Sequence, residues 1–525
     1  MDLIAKIFKF GKKEKVESRT YPNDTNMTPS YGMSWPIITK KWDGEKTPGE
    51  LGVVVKNLPD YKRLRLRAYD AEMRIDIINI LTSRYANWVI GSGLKLQSEP
   101  IKNILDSEKI NVNIPDLPKK IESRFQVFSN SKKASYSGEC TLHDLAMDAF
   151  KTSFVGGDAL VICRIEKKRL NVQVIDGQHV DTPGMEQADL LEKAESLGHT
   201  IQNGIELDDK GKAVAFYVKA KTDGVECLYE RIEAYGATTG KNLAWMIYGC
   251  KHRIDHTRGI TRLSHVLEKV NKLDRYNEAT VSKAEQGANI VFSIEHDNNS
   301  MGEDIMKENF KKKLRISEDS VDPYTLSDGL ANTITQTTSN QTFNMPIGSK
   351  LKPYQSDIGS EYEQFQDAVF SSISASMNMP AEFALFKFNS NYSASRAAIN
   401  GWGYIVDIER EKFSKDFYKR IYCLWLEMEV LNGKIQAPKF IQSIRTDDFM
   451  IVDAYSNSRF VGKNMPHIDP LKEVKAVRSM LGDETTPLIS REQAAENLNA
   501  GSWLDNYAAN LKENDEIIPP ENDIE

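Results

Sequence analysis

The run from Ser395 to Leu431 constrains this chain more than any other stretch. Phe413, Phe417, Ile421, Leu424, Met428 and Leu431 recur three or four positions apart, the period of one helix face. A helix continuous from Ser395 spans roughly 50 Å at about 1.5 Å per residue, more than the width of a small domain. Asn432-Gly433 supplies the residues that close such a helix in a left-handed turn. In front of it stands "ALFKFNSNYSASRAAINGW" (residues 384–402), whose first part holds aromatics, asparagines and serines with no period. A polar loop at the mouth of a long helix suits a catalytic lid, a hinge, or a surface that touches something passing by.

The rest of the chain reads as helices alternating with short strands, an α+β pattern. Leu66, Tyr69, Met73, Ile77, Ile80 and Trp88 predict one helix, with Arg63, Arg65, Arg67, Arg74 and Arg84 among them. Gly91 and Gly93 end it before a short strand in "LKLQ". "TLHDLAMDAFKTSFV" predicts a helix, and "DALVICRIE", "LNVQVID" and "AVAFYVKA" predict strands. A helix over 262–289 is marked by Leu263, Val266, Val270, Leu273 and Val281, its apolar face weakening after Tyr276. Residues 290–358 form a separate module with a Ser/Thr/Asn/Gln-rich piece, and a helix over 359–378 follows, in step at Tyr362, Phe365, Val369, Ile373 and Met377 and stopped by Pro380. Residues 1–59 read as a turn-rich arm. Its first residues, "MDLIAKIFKFGKKEKVE", hold too short and too broken an apolar core for a signal peptide. The acidic end from 511 to 525 reads as a disordered tail.

At 525 residues the chain exceeds what one hydrophobic core serves, so more than one packed unit is expected. A formal net charge of -7 argues against a protein that grips nucleic acid over a broad basic surface, though not against one past which DNA slides. Cys140, Cys163, Cys227, Cys250 and Cys423 stand singly, which points to a reducing compartment. No apolar run approaches the roughly 20 residues of a membrane span.

Candidate chemistry is thin. "YGATTGKNL" has three residues between Gly236 and Gly240 where a phosphate-binding loop needs four, and Asn242 stands where Ser or Thr would hold magnesium, so a hairpin turn is the expectation. Cys250, His252 and His256 could offer three zinc ligands but have no obvious fourth, and a strand and turn explain them better. Asp158, Asp176, Asp181, Asp208 and Asp209 form no acid/base pair of recognisable spacing. Lys311, Lys312, Lys313 and Arg315 read as a solvated face, or as a contact for a partner or a phosphate backbone.

Five blocks in order resemble the lambda-type portal proteins of tailed bacteriophages, the head-to-tail connector family. They are "RAYDAEMRIDIINILTSRYANWVIGSGLKLQ", "TLHDLAMDAFKTSFVGGDALVI", "IDHTRGITRLSHVLEKVNKLDRYNEA", "NMPAEFALFKFNSNYSASRAAI" and "MPHIDPLKEVKAV". Asp158 stands where the family usually has a glutamate, and Ala394 replaces a serine. The resemblance implies a portal fold: an α+β wing over 60–255, stem helices over 256–289 and 359–379 with a clip at 290–358 between them, a tunnel loop at 380–393, a long wing helix at 394–432, and a C-terminal wing and crown region at 433–510. It implies a ring of about a dozen copies at one capsid vertex, through which double-stranded DNA is packaged and ejected without sequence specificity. Lys387, Phe388, Asn389, Ser390, Asn391, Tyr392 and Arg396 would face the DNA. Lys311, Lys312, Lys313 and Arg315 would meet partners at the clip. The implied partners are the terminase large subunit, then a neck or adaptor protein, and the major capsid or scaffolding protein; no membrane is implied. The implied location is the virion, with the host cytoplasm during assembly. No catalytic residue, metal or cofactor is implied. The alternative is a phage enzyme that processes or packages DNA, a nuclease or ATPase.

Overall fold

The computed structural model describes residues 60–108, 116–184, 187–223, 226–237, 239–251, 256–289, 292–296, 349–353, 360–385, 392–446, 448–463, 470–482, 487–498, 500–501 and 503–517. All of them belong to the unit Asp60–Glu525.

Helix α1 (Tyr61–Arg74) starts where Asp60 accepts a hydrogen bond from the Arg63 amide at 3.1 Å. Ile75 is extended (φ -110, ψ 109), and α2 (Asp76–Val89) begins after it, so the single helix expected here is two. The break resets the face. Leu64, Ala68, Ala71, Ile78, Leu81 and Tyr85 are buried, whereas Leu66 and Met73 are 61% and 81% exposed. α1 packs against the helix over Leu142–Gly156. Past Gly91 and Gly93 the chain enters β1 (Lys95–Ser98), then α3 (Lys102–Ser107), α4 (Leu117–Asn130) and α5 (Leu142–Gly156). A reciprocal capping box between Thr141 and Asp144 opens α5.

Strands β2 (Asp158–Glu166) and β3 (Arg169–Asp176) form an antiparallel hairpin. After α6 (Ala188–Ser196) come β4 (Thr200–Gln202), β5 (Ile205–Leu207), β6 (Ala213–Asp223) and β7 (Glu226–Glu233), an antiparallel sheet in sequence order. β8 (Ala244–Tyr248) returns to pair with β2, giving a three-stranded sheet in the order β3-β2-β8. Leu160, Ile162, Val180, Phe216, Val218 and Met246 share the core between the two sheets. The three expected strands, which alternate or run apolar, are all present, because their β-branched and aromatic residues suit a pleated surface buried on one or both faces.

A short 3-10 turn (Arg262–His265) leads into α7 (Leu267–Asn289). Leu263, Val266, Val270 and Leu273 are buried, and Val281 is 54% exposed, so the apolar face does end near Tyr276. β9 (Phe292–His296) pairs antiparallel with β10 (Ser349–Pro353), and α8 (Ser360–Ser376) runs back beside α7. The two helices join through Tyr276 against Phe365 and Tyr362 (centroids 4.3 and 5.8 Å), and through Lys269 Nζ donating to Ser372 Oγ and Ser376 Oγ at 2.9 and 3.1 Å. Asn378 (φ 57) turns the chain before Pro380.

The next segment departs from the sequence expectation: α9 (Ala381–Leu385) is helical where a loop was expected to start. The long helix begins at Tyr392. It runs as α10 (Tyr392–Ser414), one π turn (Lys415–Lys419) and α11 (Arg420–Leu431). A π turn inserts one residue and rotates everything after it by about 100°. Phe413, Phe417 and Ile421 are therefore buried as expected, but the face continues through Tyr422, Trp425, Leu426 and Val430. Leu424 and Met428 are only half-buried and Leu431 is 60% exposed, which corrects the expected register. Gly433 (φ 69) closes the helix, with the Lys434 amide donating to Glu429 O and the Gly433 amide to Val430 O.

α12 (Phe440–Thr446) and α13 (Phe449–Ser456) lead to β11 (Ser458–Val461), which pairs with β1 some 360 residues earlier in the register Leu96↔Phe460. α14 (Pro470–Leu481), α15 (Arg491–Asn497) and α16 (Trp503–Ile517) complete the described chain. Residues 511–517 are thus helical, not the start of a disordered tail; Leu511, Lys512 and Glu513 are good helix formers and extend the helix begun at Trp503. Among the described residues no helix is long and apolar enough to cross a membrane.

Candidate functional site

The carboxylates come first, since they would carry any hydrolytic chemistry. Asp158 is fully buried. Its Oδ1 accepts from Arg65 Nη2 (2.6 Å) and Arg258 Nη2 (2.8 Å), and its Oδ2 from Arg258 Nε (2.7 Å) and the Gly259 amide (2.9 Å). Burial alone would raise its pKa; the two guanidiniums and the amide outweigh burial and hold it below the usual carboxylate range. Arg258 also donates to the carbonyls of Val180, Asn203 and Gly177. Gly259 has to be glycine, because a Cβ there would lie 2.1 Å from Gly157 O. The group ties α1, β2 and the sheets to the segment that starts α7. A carboxylate with four donors has no lone pair free to take a substrate proton.

Glu206 repeats the arrangement. It accepts from His199 Nδ1 (2.7 Å), Tyr217 OH (2.8 Å) and both Arg231 Nε (2.8 Å) and Nη2 (3.0 Å). Burial pushes its pKa up, and the bonds from Arg231, His199 and Tyr217 outweigh that and bring it down to about 2. Asp176 accepts from Tyr69 OH, Asp181 from Lys62 Nζ, and Asp208 from the amides of Lys210 and Lys212. "YGATTGKNL" is a hairpin turn, with Tyr235 bridged to Asn242 and Lys241 ion-paired to Glu427 at 2.8 Å. Cys250 bridges to Ile260 and His256 is buried, while His252 lies outside the described residues. Among the described residues no three His, Cys, Asp or Glu side chains converge as a metal site would require.

The second candidate is the polar stretch that the sequence reads as a loop. Lys387, Phe388, Asn389, Ser390 and Asn391 lie outside the described residues, and Tyr392 is the first residue of α10. The described residues on either side of that stretch are held by one helix, α2. On the first flank, Arg84 Nη1 donates to Phe383 O (2.7 Å) and to Ala384 O, the closing carbonyls of α9. Trp88 sets its ring edge-on to Phe383 at 6.1 Å. On the second flank, Trp402 of α10 is fully buried, edge-on to Tyr85 at 5.1 Å. Arg410 of α10 in turn donates to Trp88 O (2.9 Å) and Val89 O (3.1 Å), the end of α2. Arg396 is exposed and paired with Glu473 Oε1 of α14 at 2.8 Å, so its charge is already engaged at a solvent-screened site.

Lys311, Lys312, Lys313 and Arg315 lie outside the described residues. Later in the chain, α8 carries Glu361, Glu363 and Asp367 and no Lys or Arg. Its exposed side presents Glu363, Asp367, Ser371 and Ser372.

Reading the sequence for chemistry missed Arg84, Arg258 and Arg410 as carbonyl-holding groups. One signal was available for Arg84, which stands in the largely apolar stretch "ILTSRYANWV", where a cation has to find acceptors.

A family model described as phage portal protein, lambda family, matches residues 40–408. None of the curated proteins compared with the chain matches it. Among solved structures, the neck of an empty gene transfer agent particle is similar at TM-score 0.46 and 9% identity, covering 84% of this chain and 94% of that one. The virion of a native gene transfer agent particle is similar at TM-score 0.41 and 9% identity, with 84% and 94% covered. A native particle neck computed with C12 symmetry gives TM-score 0.35 and 9% identity, with 80% and 98% covered.

Proposed function

Because the chain belongs to the lambda family of phage portal proteins, we propose that about twelve copies close into a ring at one capsid vertex and that double-stranded DNA passes through it during packaging and ejection. The observation that carries this reading is the family match over residues 40–408. In this reading α7 and α8 are the stem helices at 256–289 and 359–379, residues 290–358 are the clip, and residues 380–393 are the tunnel loop. The wing is 60–255, joined by the long helix at 394–432, and 433–510 belongs to wing and crown. The ring sits in the virion and assembles in the host cytoplasm. The clip, with Lys311, Lys312, Lys313 and Arg315, receives the terminase large subunit and later the neck or adaptor protein; the rim meets the major capsid or scaffolding protein.

The physics asks for a wall along which a polyanion slides. A helix with acids and serines and no cation, as α8 is, repels phosphates and lowers friction. A net charge of -7 per subunit acts the same way. Lys387 and the Asn389–Tyr392 group offer short, renewable polar contacts that position a backbone without reading bases. The chain is proposed to be a channel and not the motor, since the buried carboxylates are saturated by structural donors.

Two measurements test this. Electron microscopy of purified protein and of capsids should show rings, and particles with no ring in any salt condition would remove the reading. Deleting Lys387–Tyr392 should leave rings intact and impair packaging or retention of DNA; wild-type packaging would show that the loop is not the contact. Clear ATP hydrolysis or nuclease turnover by the pure protein would favour the enzyme instead.

A further inference from the structure

On the reading that copies of this chain close into a ring, we propose that the outer face of α10 in one copy packs on the outer face of α1 in the next, Gly401, Tyr404 and Ile408 against Leu66 and Met73. These large apolar side chains lie open within one copy: Leu66 and Met73 are 61% and 81% exposed, Tyr404 and Ile408 70% and 48%. Leu66 and Met73, seven positions apart, share one side of α1, while the inward side carries Leu64, Ala68 and Ala71. On α10 the inward side carries Trp402, Val406 and Arg410, and Tyr404 and Ile408, two positions off them, point the other way. Apolar residues at helical spacing on an outer face form a seam, not a scatter of single side chains. Gly401 is exposed on the same row as Tyr404 and Ile408, and a Cβ there would meet no atom within 4 Å. Glycine inside a helix weakens it, and the space it leaves admits a second helix at close range.

Charge and spacing point to a second copy as the occupant. Arg67 and Arg74 flank the Leu66–Met73 row on one side. Asp407 and Glu411 flank the Tyr404–Ile408 row, their side chains 69% and 67% exposed. Arg74 bonds Asp70 at 2.7 Å, Asp407 accepts from Arg410 and Glu411 from Lys415. A guanidinium with five donors and a carboxylate with two oxygens still have capacity for a further partner. The arginines lie on the opposite-handed side of their row from the acids on theirs, as e and g positions do. Two such helices packed side by side in the same direction bring unlike charges together. Leu66 to Met73 and Gly401 to Ile408 are equal steps of about 10 Å, at about 1.5 Å per residue, so the two rows match in length. Within a copy both helices pack on α2, which fixes one face relative to the other. Two different faces that complement each other join copies head to tail, and such a contact closes into a ring when its rotation allows.

Two experiments on the full chain test the contact. In the first, Arg67→Glu with Arg74→Glu reverses the flank of α1, and Asp407→Lys with Glu411→Lys reverses that of α10. Each pair should lower the yield of rings in electron microscopy about tenfold, because like charges then meet, with the far-ultraviolet circular dichroism unchanged. All four substitutions together should restore the rings. Normal rings in either reversal, or rings that the four together do not restore, would overturn the contact. Normal rings with fewer DNA-filled particles in the α1 reversal would assign those arginines to DNA and overturn it as well. In the second experiment Met73→Cys is combined with Ile408→Cys, and Leu66→Cys with Gly401→Cys. Mild oxidation of assembled rings should link copies into a ladder on a denaturing gel in at least one double variant and in no single variant. A ladder in neither pair, or linked dimers from a single variant, would overturn the head-to-tail pairing and leave the ring reading standing. Absence of rings from the unaltered protein in any salt condition would remove the ring reading and this proposal with it.

Discussion

Asp158 shows what single residues do here. Its single carboxylate is the shared acceptor of Arg258 and Arg65 in a buried place, so Asp158→Asn removes the negative charge between two guanidiniums. Breaking such a buried group costs about 3–5 kcal/mol, and thermal unfolding should drop accordingly; a melting temperature within a degree of wild type would mean water reaches the site. Titration gives a second check. Glu206 has a folded pKa of about 2, below its unfolded value near 4.3. A depressed carboxylate contributes stability that is complete above the unfolded pKa and lost as pH falls through the folded one. Between roughly pH 4.3 and 2 the protein should therefore lose stability, and Glu206→Gln should flatten that part of a plot of melting temperature against pH. The sequence showed Asp158 as one of several acids without a partner at recognisable spacing. Its partners Arg65 and Arg258 are 93 and 100 residues away, and no local pattern joins them.

At the scale of elements, the long helix teaches most. Its existence, its capped end at Asn432-Gly433 and its face as far as Ile421 follow from period and cap. The π turn at Lys415–Lys419 does not, because "KDFYK" carries no composition that demands an extra residue; packing of Phe417 and Tyr418 against the aromatics around them holds it. The consequence is measurable. Leu426→Asp buries a charge and should cost several kcal/mol, shifting the denaturant midpoint strongly. Leu424→Asp, on the half-buried side, should shift it by clearly less. Equal losses would put the face back in the uninterrupted register. The pair α1 and α2 repeats the lesson: helical spacing predicted one rod, and an extended Ile75 made two, leaving Leu66 and Met73 outward.

At the scale of the whole molecule, the net charge of -7 and the cation-free α8 predict how the assembled protein meets DNA. Binding to free duplex should be weak, indifferent to sequence, and weaker still as salt rises. A filter-binding series over salt and over unrelated duplexes measures this; tight, sequence-selective binding would contradict a sliding channel. The sequence by itself determined the helices with strong period, the alternating strands, the glycine and proline stops, and, through five ordered blocks, the family. These are local properties, written in residues close enough in the chain to act on one another through backbone and neighbouring side chains. Only the tertiary structure decided that β1 and β11 pair, that one helix holds the described residues on either side of 386–391, and that Arg84, Arg258 and Arg410 direct their charge to distant carbonyls. Such contacts depend on which surfaces meet after the chain has closed on itself, and a guanidinium shielded from solvent donates to any oxygen the fold brings within reach.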